Sequence, residues 1–136
     1  MVESQLPIFS YGTLMPGQPN YDLWADLIVH TEPAVFPGGR LHHLGYFPML
    51  SEGGLDPVHG FLVKIAAHRY DSCLQDLDYL ENYQPDNLED SLYHRLERTI
   101  LLAEGRTMRA WVYVGNPLVS ARYPIIPSGD WRQATL

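Results

Sequence analysis

The sequence IFSYGTLMPG, residues 8–17, decides how the chain begins to fold. The apolar pair Ile8-Phe9 runs into Ser10-Tyr11-Gly12-Thr13-Leu14, and Pro16-Gly17 ends the segment in a turn. This order predicts a short buried strand that leads directly into a loop. Gly12 permits a close approach of the backbone that a side chain would prevent. Successive N–H groups at such a corner can converge on one anion or carbonyl oxygen, although a strand that ends in a plain turn has the same pattern.

The composition indicates a single domain over residues 1–136 that is unsuited to nucleic acid or anionic membranes. Of the 136 residues, 46% are hydrophobic and 18% are charged, which is enough to bury a core. The formal net charge is −7 and there is no run of Lys or Arg, so nucleic acid and membrane surfaces are unfavourable partners. With Cys73 as the one cysteine, no signal-peptide pattern and no apolar stretch of membrane-spanning length, we expect a cytoplasmic protein.

Two segments have the apolar spacing of amphipathic helices. Residues 20–28 carry apolar side chains once per turn, with Asn20 in the position of an N-cap. Residues 68–83 carry Cys73 and several leucines on one face, and Pro85 follows as a helix breaker. The sequence therefore predicts two helices, each with one face toward a core.

The remaining apolar segments predict strands. Pro and Gly punctuate residues 31–50, which predicts short strands joined by bends and bulges. Residues 58–65 predict a central strand, residues 92–102 and 108–114 predict a hairpin, and the tail after Pro117 predicts an irregular wrap. Because two helices are too few for a doubly wound parallel sheet, an α+β fold with an antiparallel, curved or barrel-like sheet fits better.

Glu81 is the polar residue with the most informative position. It follows Leu77 by four residues and Leu74 by seven, so helical geometry places it at the edge of the core-facing stripe. A carboxylate that is partly withdrawn from water has a raised pKa and can accept a proton near neutrality. A glutamate in the last turn of a surface helix is usually solvated, so the spacing alone leaves both interpretations open.

Other catalytic and metal-binding patterns find little support in the sequence. His42 and His43 are adjacent, so in a strand they point to opposite faces and cannot easily share a metal. Cys73, on the apolar helix face, fits a buried inert thiol better than a nucleophile. There is no G-x-S-x-G elbow, P-loop or dinucleotide-binding glycine pattern. Several aromatic residues could line a pocket, although each also fits ordinary packing: Tyr11, Tyr46, Phe47, Tyr93 and Tyr113.

Five segments together resemble the γ-glutamylcyclotransferase-like family, which includes the AIG2-like proteins. Tyr11-Gly12-Thr13-Leu14 resembles the family's Tyr-Gly-Ser/Thr-Leu signature, and Gly45-Tyr46-Phe47-Pro48 resembles its Gly-x-Tyr-Pro segment. Leu77-Asp78-Tyr79-Leu80-Glu81-Asn82-Tyr83 looks like its Leu-Asp-x-x-Glu-Gly-Tyr helix end, with Asn82 in place of Gly. Tyr93-His94-Arg95 is similar to its Tyr-x-Arg strand, and Ser128-Gly129-Asp130-Trp131 to a C-terminal segment of many members. The matches follow the family's order and cover nearly the whole chain.

The resemblance implies a small closed or nearly closed, mostly antiparallel β-barrel with two flanking helices and a cavity at one end. It implies that Glu81 is the general acid/base and that no metal or cofactor is required. It also implies a set of substrate-binding residues: Tyr11, Gly12, Thr13, Leu14, Tyr46 and Tyr93. Asn82 is expected to adopt the left-handed conformation that Gly provides in the family.

The implied reaction converts a γ-glutamyl amide into 5-oxoproline and a free amine by attack of the substrate's own α-amine. The short chain and Thr13 look more like the γ-glutamylamine branch than the longer enzymes that act on γ-glutamyl amino acids. The expected partner is therefore a small γ-glutamyl compound, with a monomer favoured. Three alternatives stay open: a non-catalytic binding module, removal of a γ-glutamyl group from a larger metabolite, and an interaction domain that uses the acidic loop 84–91. The last alternative predicts that Glu81 is exposed and far from Tyr11.

Overall fold

Residues 5–134 of the chain are described by a computed structural model and contain six strands and two α-helices. The strands are β1 (Ile8–Ser10), β2 (Ile28–His43), β3 (Pro48–Glu52), β4 (Asp56–Ile65), β5 (Tyr93–Leu101) and β6 (Thr107–Gly115). The helices are α1 (Tyr70–Leu80) and α2 (Pro117–Ser120). Neither helix within this described part has the length and apolar character needed to cross a membrane.

Five of the strands close into a barrel. They follow one another in the order β1-β4-β2-β3-β6, and β6 pairs back with β1. The pairings of β6 with β1 and β3 are parallel, and the other pairings are antiparallel. The sixth strand, β5, pairs with β6 along its whole length and touches β2 at one position. The predicted α+β fold, a closed and mostly antiparallel barrel with flanking helices, is therefore confirmed.

The strand β2 is continuous over 16 residues where the sequence predicted several short strands. Its first part pairs with β4, and its last five residues pair with β3. The register with β4 shifts between Phe36 and Gly39, and Gly38 has a φ of 72°. A bulge at this point bends the strand, so that β2 can pair with both β4 and β3 around the barrel. The predicted bulge is present, and it interrupts the register without ending the strand.

The strand β1 is buried on both faces, which explains its uninterrupted apolar sequence. Phe9 belongs to a hydrophobic cluster that fills the barrel. This cluster contains residues of all six strands, for example Leu50 of β3. Ile8 belongs to a second cluster, between the barrel and α1, that includes Leu77. Neighbouring residues of a strand point to opposite faces, so both clusters need an apolar residue here. As a result, residues 11–14, which follow β1, lie at the junction between the barrel and α1.

The prediction of a helix over residues 20–28 is wrong. Two 3-10 turns, Tyr21–Leu23 and Ala25–Leu27, occupy this segment. Trp24 lies between them with φ −132° and ψ 2°, outside the helical region, and Ile28 already begins β2. The second α-helix of the described chain is instead α2, which lies in the tail after β6. The hydrogen bond from the Trp24 indole N–H to the Leu14 carbonyl overrides the helical spacing of this short segment.

The helix α1 spans Tyr70–Leu80 and is shorter at both ends than the predicted helix over residues 68–83. Glu81 is its C-cap, and the next residue, Asn82, has a φ of 53°. The Asn82 carbonyl then accepts a hydrogen bond of 3.0 Å from the N–H of Leu92, just before β5. Asn tolerates the left-handed region better than most residues, so it can turn the chain here. The expected left-handed conformation of Asn82 is confirmed.

The tail wraps over the barrel as predicted, apart from α2. The N–H of Ile126 donates to the Leu41 carbonyl at 2.7 Å, and the N–H of His43 donates to the Pro124 carbonyl at 2.8 Å. The His42 ring contacts the Tyr123 carbonyl at 3.0 Å through Nδ1. These hydrogen bonds attach residues 123–126 of the tail to the part of β2 that follows its bulge.

We predict that Asn82→Gly keeps or raises stability, because Gly adopts a positive φ without strain. The matched control is Gln75→Gly, an exposed position inside α1. There Gly should lower the free energy of unfolding by about 0.5–1 kcal/mol. Urea denaturation of both variants checks the pair, and an equal loss at the two positions would contradict the assigned left-handed cap.

Candidate active site

A cavity of about 50 Å³ lies where the end of β1 meets the C-terminus of α1. It is lined by residues 8–14, by Trp24, Phe47 and Pro48, by Leu77 of α1 and its C-cap Glu81, by Tyr93 of β5 and by Tyr113 of β6. Pockets for drug-sized ligands measure roughly 300–1,000 Å³, so this cavity suits one small chemical group. The structure thus brings together Glu81 and five of the six residues predicted to bind substrate.

Tyr46 is the predicted site residue that the structure does not bring to the cavity. Its side chain is 92% exposed, and it is absent from the cavity lining. It lies in a tight loop in which the N–H of Leu44 donates to the Phe47 carbonyl at 3.1 Å. The loop turns Tyr46 outward, and its neighbours Phe47 and Pro48 line the cavity instead.

Glu81 is the one carboxylate that lines the cavity. Its backbone N–H donates to the Leu77 carbonyl at 2.9 Å, which continues the helical pattern, whereas its side chain makes no hydrogen bond within residues 5–134. Burial raises the pKa of its carboxyl group from 4.5 to about 7. A carboxylate with this pKa and an unoccupied lone pair can accept a proton at neutral pH and return it.

The position of Glu81 depends on Asp78, one helical turn earlier. Asp78 receives two hydrogen bonds from the Arg95 guanidinium, at 2.8 and 3.1 Å, and one from the Tyr113 hydroxyl at 2.7 Å. Arg95 also lies over the Trp111 ring, 4.4 Å from its centre. These contacts join the last turn of α1 to β5 and β6, because Arg95 and Tyr113 are paired residues of those strands.

The loop of residues 11–14 presents unpaired backbone donors to the cavity. The N–H groups of Gly12, Thr13 and Leu14 donate to no acceptor within residues 5–134. Three successive N–H groups without a protein acceptor, in a loop that lines a cavity, mark a place where a ligand oxygen can accept them. No Lys, Arg or His lines the cavity, so the donors available to an anionic or carbonyl oxygen are these N–H groups and the hydroxyls of Ser10 and Thr13.

Two residues of the segment between β1 and β2 hold this loop in place. Asn20 binds Thr13 twice, through its N–H to the Thr13 carbonyl at 2.9 Å and through Nδ2 to Oγ1 at 3.0 Å. The Trp24 indole N–H donates to the Leu14 carbonyl at 2.9 Å. These bonds occupy carbonyl groups of the loop and leave its N–H groups free. They also explain why the Asn20 side chain makes no capping hydrogen bond to the 3-10 turn that follows it and why Trp24 leaves the helical conformation.

Gly12 is required by a close contact across the cavity. A Cβ atom at this position would lie 2.9 Å from Cγ and 3.0 Å from Cδ of Pro48. Real side chains essentially never approach a proline ring this closely, so any larger residue would push the loop away from β3. The Gly12–Pro48 contact therefore links two of the sequence segments that carried the family resemblance.

Tyr11 and Tyr93 line the cavity with hydroxyl groups that are already hydrogen-bonded to the backbone. The Tyr11 hydroxyl donates to the Tyr113 carbonyl at 2.5 Å and accepts from the Leu50 N–H at 3.2 Å. The Tyr93 hydroxyl donates to the Pro48 carbonyl at 2.7 Å. Burial, with the nearby Glu81 charge adding to it, raises the pKa of Tyr11 and Tyr93 far above the usual 10. Both hydroxyls thus stay protonated and engaged, and Glu81 remains the group free to exchange a proton.

Sequence reasoning missed the residues that position the site. Asn20, Trp24, Asp78 and Arg95 act on the loop and the helix from outside the cavity. Asp78 and Arg95 are 17 residues apart, and no spacing rule connects a helix residue to a strand residue. Their presence beside Glu81 and Tyr93 in two of the quoted segments was the one available signal.

We predict that Glu81→Gln raises stability at alkaline pH, because the folded protein must keep a charged carboxylate out of water. The raised pKa of Glu81 means that the parent loses stability as pH rises from about 4.5 to 7. The variant should equal the parent near pH 4 and exceed it by about 2–3 kcal/mol at pH 8. Glu89→Gln in the exposed acidic loop is the control. A stability difference between Glu81→Gln and parent that stays constant from pH 4 to 8 would contradict the desolvated carboxylate.

Solved structures of known proteins share this fold. An AIG2-like protein from Mus musculus superposes with a TM-score of 0.70 and 24% identity, covering 89% of this chain and 85% of its own. YkqA from Bacillus subtilis gives a TM-score of 0.68 and 23% identity, with 94% of this chain covering 40% of YkqA. A structure described as a gamma-glutamyl cyclotransferase gives 0.60 and 14% identity, covering 82% of this chain and 66% of its own. At these identities the likeness establishes the fold.

Sequence comparison establishes the family. No curated protein shows significant similarity to the chain. The sequence profile of the family "Gamma-glutamyl cyclotransferase, AIG2-like" matches residues 8–133, which include every residue of the cavity. The chain belongs to the AIG2-like gamma-glutamyl cyclotransferase family.

Proposed function

We propose that this protein is a γ-glutamyl cyclotransferase that releases 5-oxoproline and a free amine from a γ-glutamyl amide, with Glu81 as general acid/base. The observation that carries the proposal is the pairing, in one small cavity, of a carboxylate of pKa about 7 with three unpaired backbone N–H groups. Family membership supports the reaction class. The residue assignments are our own.

The reaction needs one base that can also act as an acid. The uncharged form of the substrate α-amine loses one proton to Glu81 as its nitrogen forms a bond to the γ-carbon of the same molecule. The bond between the γ-carbon and the leaving nitrogen then breaks, and Glu81 returns the proton to that nitrogen. Bonds and protons balance without water, an electron carrier or a covalent enzyme intermediate. Positioned proton transfer of this kind typically contributes roughly 10²–10⁴-fold to the rate.

The N–H groups of Gly12, Thr13 and Leu14 would hold substrate oxygens. A γ-glutamyl group offers two kinds of acceptor, the α-carboxylate and the γ-carbonyl oxygen on which charge develops. With no cationic side chain in the cavity, either acceptor would be bound by neutral donors, which are these N–H groups and the hydroxyls of Ser10 and Thr13. Donors on the γ-carbonyl oxygen would stabilise the transition state selectively, whereas donors on the α-carboxylate would orient the chain for ring closure.

The interaction-domain alternative is contradicted by the position of Glu81. That alternative needs an exposed Glu81 far from Tyr11, but the two residues line the same cavity and the charge of Glu81 reaches the Tyr11 hydroxyl. A binding module without catalysis has no use for a carboxylate that destabilises the fold. The lone Cys73, which is buried and free, agrees with our proposal that the protein works in the cytoplasm.

We predict that the parent protein releases 5-oxoproline from γ-glutamyl amides and that Glu81→Gln lowers kcat/KM by about 10²–10⁴-fold. The isosteric amide keeps the shape of the cavity but cannot accept a proton. Chromatographic quantification of 5-oxoproline from γ-glutamyl amines and γ-glutamyl amino acids checks this. Glu89→Gln should behave as the parent. Release that survives Glu81→Gln would refute the assigned base, and no release from any compound would refute the proposed function.

We further predict that kcat/KM falls on the acid side with an apparent pKa of about 7, because Glu81 must be unprotonated to act as the base. Below that pH the activity should drop tenfold per pH unit. The ionisation of the substrate α-amine is measured separately by titration and divided out. An acid limb at the ordinary glutamate value of 4.5 would show that the base is a solvated carboxylate elsewhere.

A further inference from the structure

The Ser10 side chain is buried beside the cavity that holds Glu81, and its hydroxyl is not used by the fold. Ser10 is 6% exposed and is the last residue of β1, where it pairs with Phe61 of β4. It lines the cavity, and its hydroxyl makes no hydrogen bond within residues 5–134. Every fully enclosed side-chain oxygen of these residues has a partner, so the unbonded oxygen of Ser10 is open to the cavity.

The alternation of side chains along β1 places Ser10 on the face toward α1. Ile8, two residues earlier, packs with Leu77 in the cluster between the barrel and α1. Phe9 and Tyr11 pack inside the barrel. Residues two apart in a strand share a face, so Ser10 faces the same side as Ile8. A hydroxyl that bonds to nothing in the fold adds no hydrogen bond to its stability, which points to a ligand as its partner.

The other polar side chains of the cavity are already engaged. The three tyrosine hydroxyls and the Trp24 indole donate to protein acceptors, and Oγ1 of Thr13 accepts a side-chain amide N–H at 3.0 Å. The carbonyls of residues 12–14 also accept hydrogen bonds, at 3.1, 2.9 and 2.9 Å. Within residues 5–134, the Ser10 hydroxyl and the Glu81 carboxylate are therefore the side-chain groups that line the cavity without a hydrogen bond.

The proposed ring closure sets the directions of three groups on the substrate α-nitrogen. An uncharged amine carries two N–H groups and one lone pair, and the lone pair must point at the γ-carbon. One N–H points to Glu81, which takes its proton. The second N–H keeps its proton and becomes the N–H of 5-oxoproline. An acceptor for this second N–H fixes the lone pair as well, because two bond directions at a tetrahedral nitrogen determine the remaining one.

We propose that Ser10 is a substrate-binding residue whose hydroxyl oxygen accepts the N–H that the α-nitrogen retains. Together with Glu81, it aims the lone pair of the nitrogen at the γ-carbon. A hydroxyl has one donor and two acceptor positions, so Ser10 can accept this N–H while its own proton turns to a substrate oxygen. This inference rests on the proposed function, because it takes the cavity beside Glu81 as the γ-glutamyl site.

The test compares two ligands that differ at the retained N–H. 5-Oxoproline carries this N–H, whereas its lactone counterpart, 5-oxotetrahydrofuran-2-carboxylate, has a ring oxygen in its place. NMR titration of backbone amide signals measures both dissociation constants. The parent should bind 5-oxoproline at least about fivefold more tightly than the lactone, and Ser10→Ala should lower this ratio about fivefold, as expected for one hydrogen bond. The ratio is used because a change in folding or in the shape of the cavity affects both ligands alike.

Two controls separate ligand binding from a structural role of the hydroxyl. Thr13→Val removes another hydroxyl of the cavity, whose oxygen already accepts from Asn20. It should leave the ratio unaltered, because its remaining proton can meet only substrate oxygens that both ligands share. Ser10→Ala should unfold at an equal or higher urea concentration than the parent, since the hydroxyl has no partner in the fold. A clear loss of stability in Ser10→Ala would show a structural role and contradict the inference.

Binding and turnover together separate failure of this inference from failure of the proposed function. A ratio that falls in Ser10→Ala, without turnover of any γ-glutamyl amide by the parent, would uphold the Ser10 contact and refute the cyclotransferase. Turnover by the parent, with the same ratio in parent and Ser10→Ala, would refute the contact and uphold the cyclotransferase. Binding of neither ligand to the parent would also refute the contact, and the turnover assay would then decide on the cyclotransferase alone.

Discussion

The contact of Asp78 with Arg95 and Tyr113 fixes the end of α1 against the barrel, and the site depends on it. Three hydrogen bonds converge on one carboxylate that is 18% exposed, and two of them form a bidentate pair with the 17% exposed Arg95. A partly buried pair of this geometry adds precision of placement more than net stability. One helical turn later, Glu81 ends the helix with its carboxylate in the cavity. Without this anchor, the helix end would be free to turn Glu81 toward water.

The site combines features that each oppose stability. Glu81 is partly desolvated and its carboxylate has no hydrogen-bond partner within residues 5–134, where the N–H groups of Gly12, Thr13 and Leu14 also lack acceptors. Elsewhere in the described chain, buried side-chain polar atoms all have partners. Groups without a protein partner that line one cavity mark the place where a ligand can bind and react. Tyr11 and Tyr93, whose hydroxyls donate to backbone carbonyls, hold the lining of the cavity in place.

Much of the fold follows from the sequence. The apolar run of β1, the hairpin of β5 and β6 and the helix before Glu81 were predicted from spacing, because each is a local pattern. The segment at residues 20–28 was not, since Trp24 and Asn20 are drawn to the preceding loop by hydrogen bonds that no periodicity encodes. The positions of Glu81 and the Tyr11–Leu14 loop left a plain structural role open, and the family resemblance singled them out, but Tyr46 could not be distinguished from Phe47. In a tight loop, adjacent side chains diverge, and the turn itself decides which one faces inward.

The central claim is that burial turns Glu81 into a base suited to neutral pH. The most direct measurement is an NMR titration of the side-chain carboxyl carbon of Glu81 in the ligand-free protein, with the resonance assigned by its loss in Glu81→Gln. A midpoint of about 7 is predicted. A midpoint near the ordinary 4.5 would mean that the carboxylate is solvated, and the account of the site would fail.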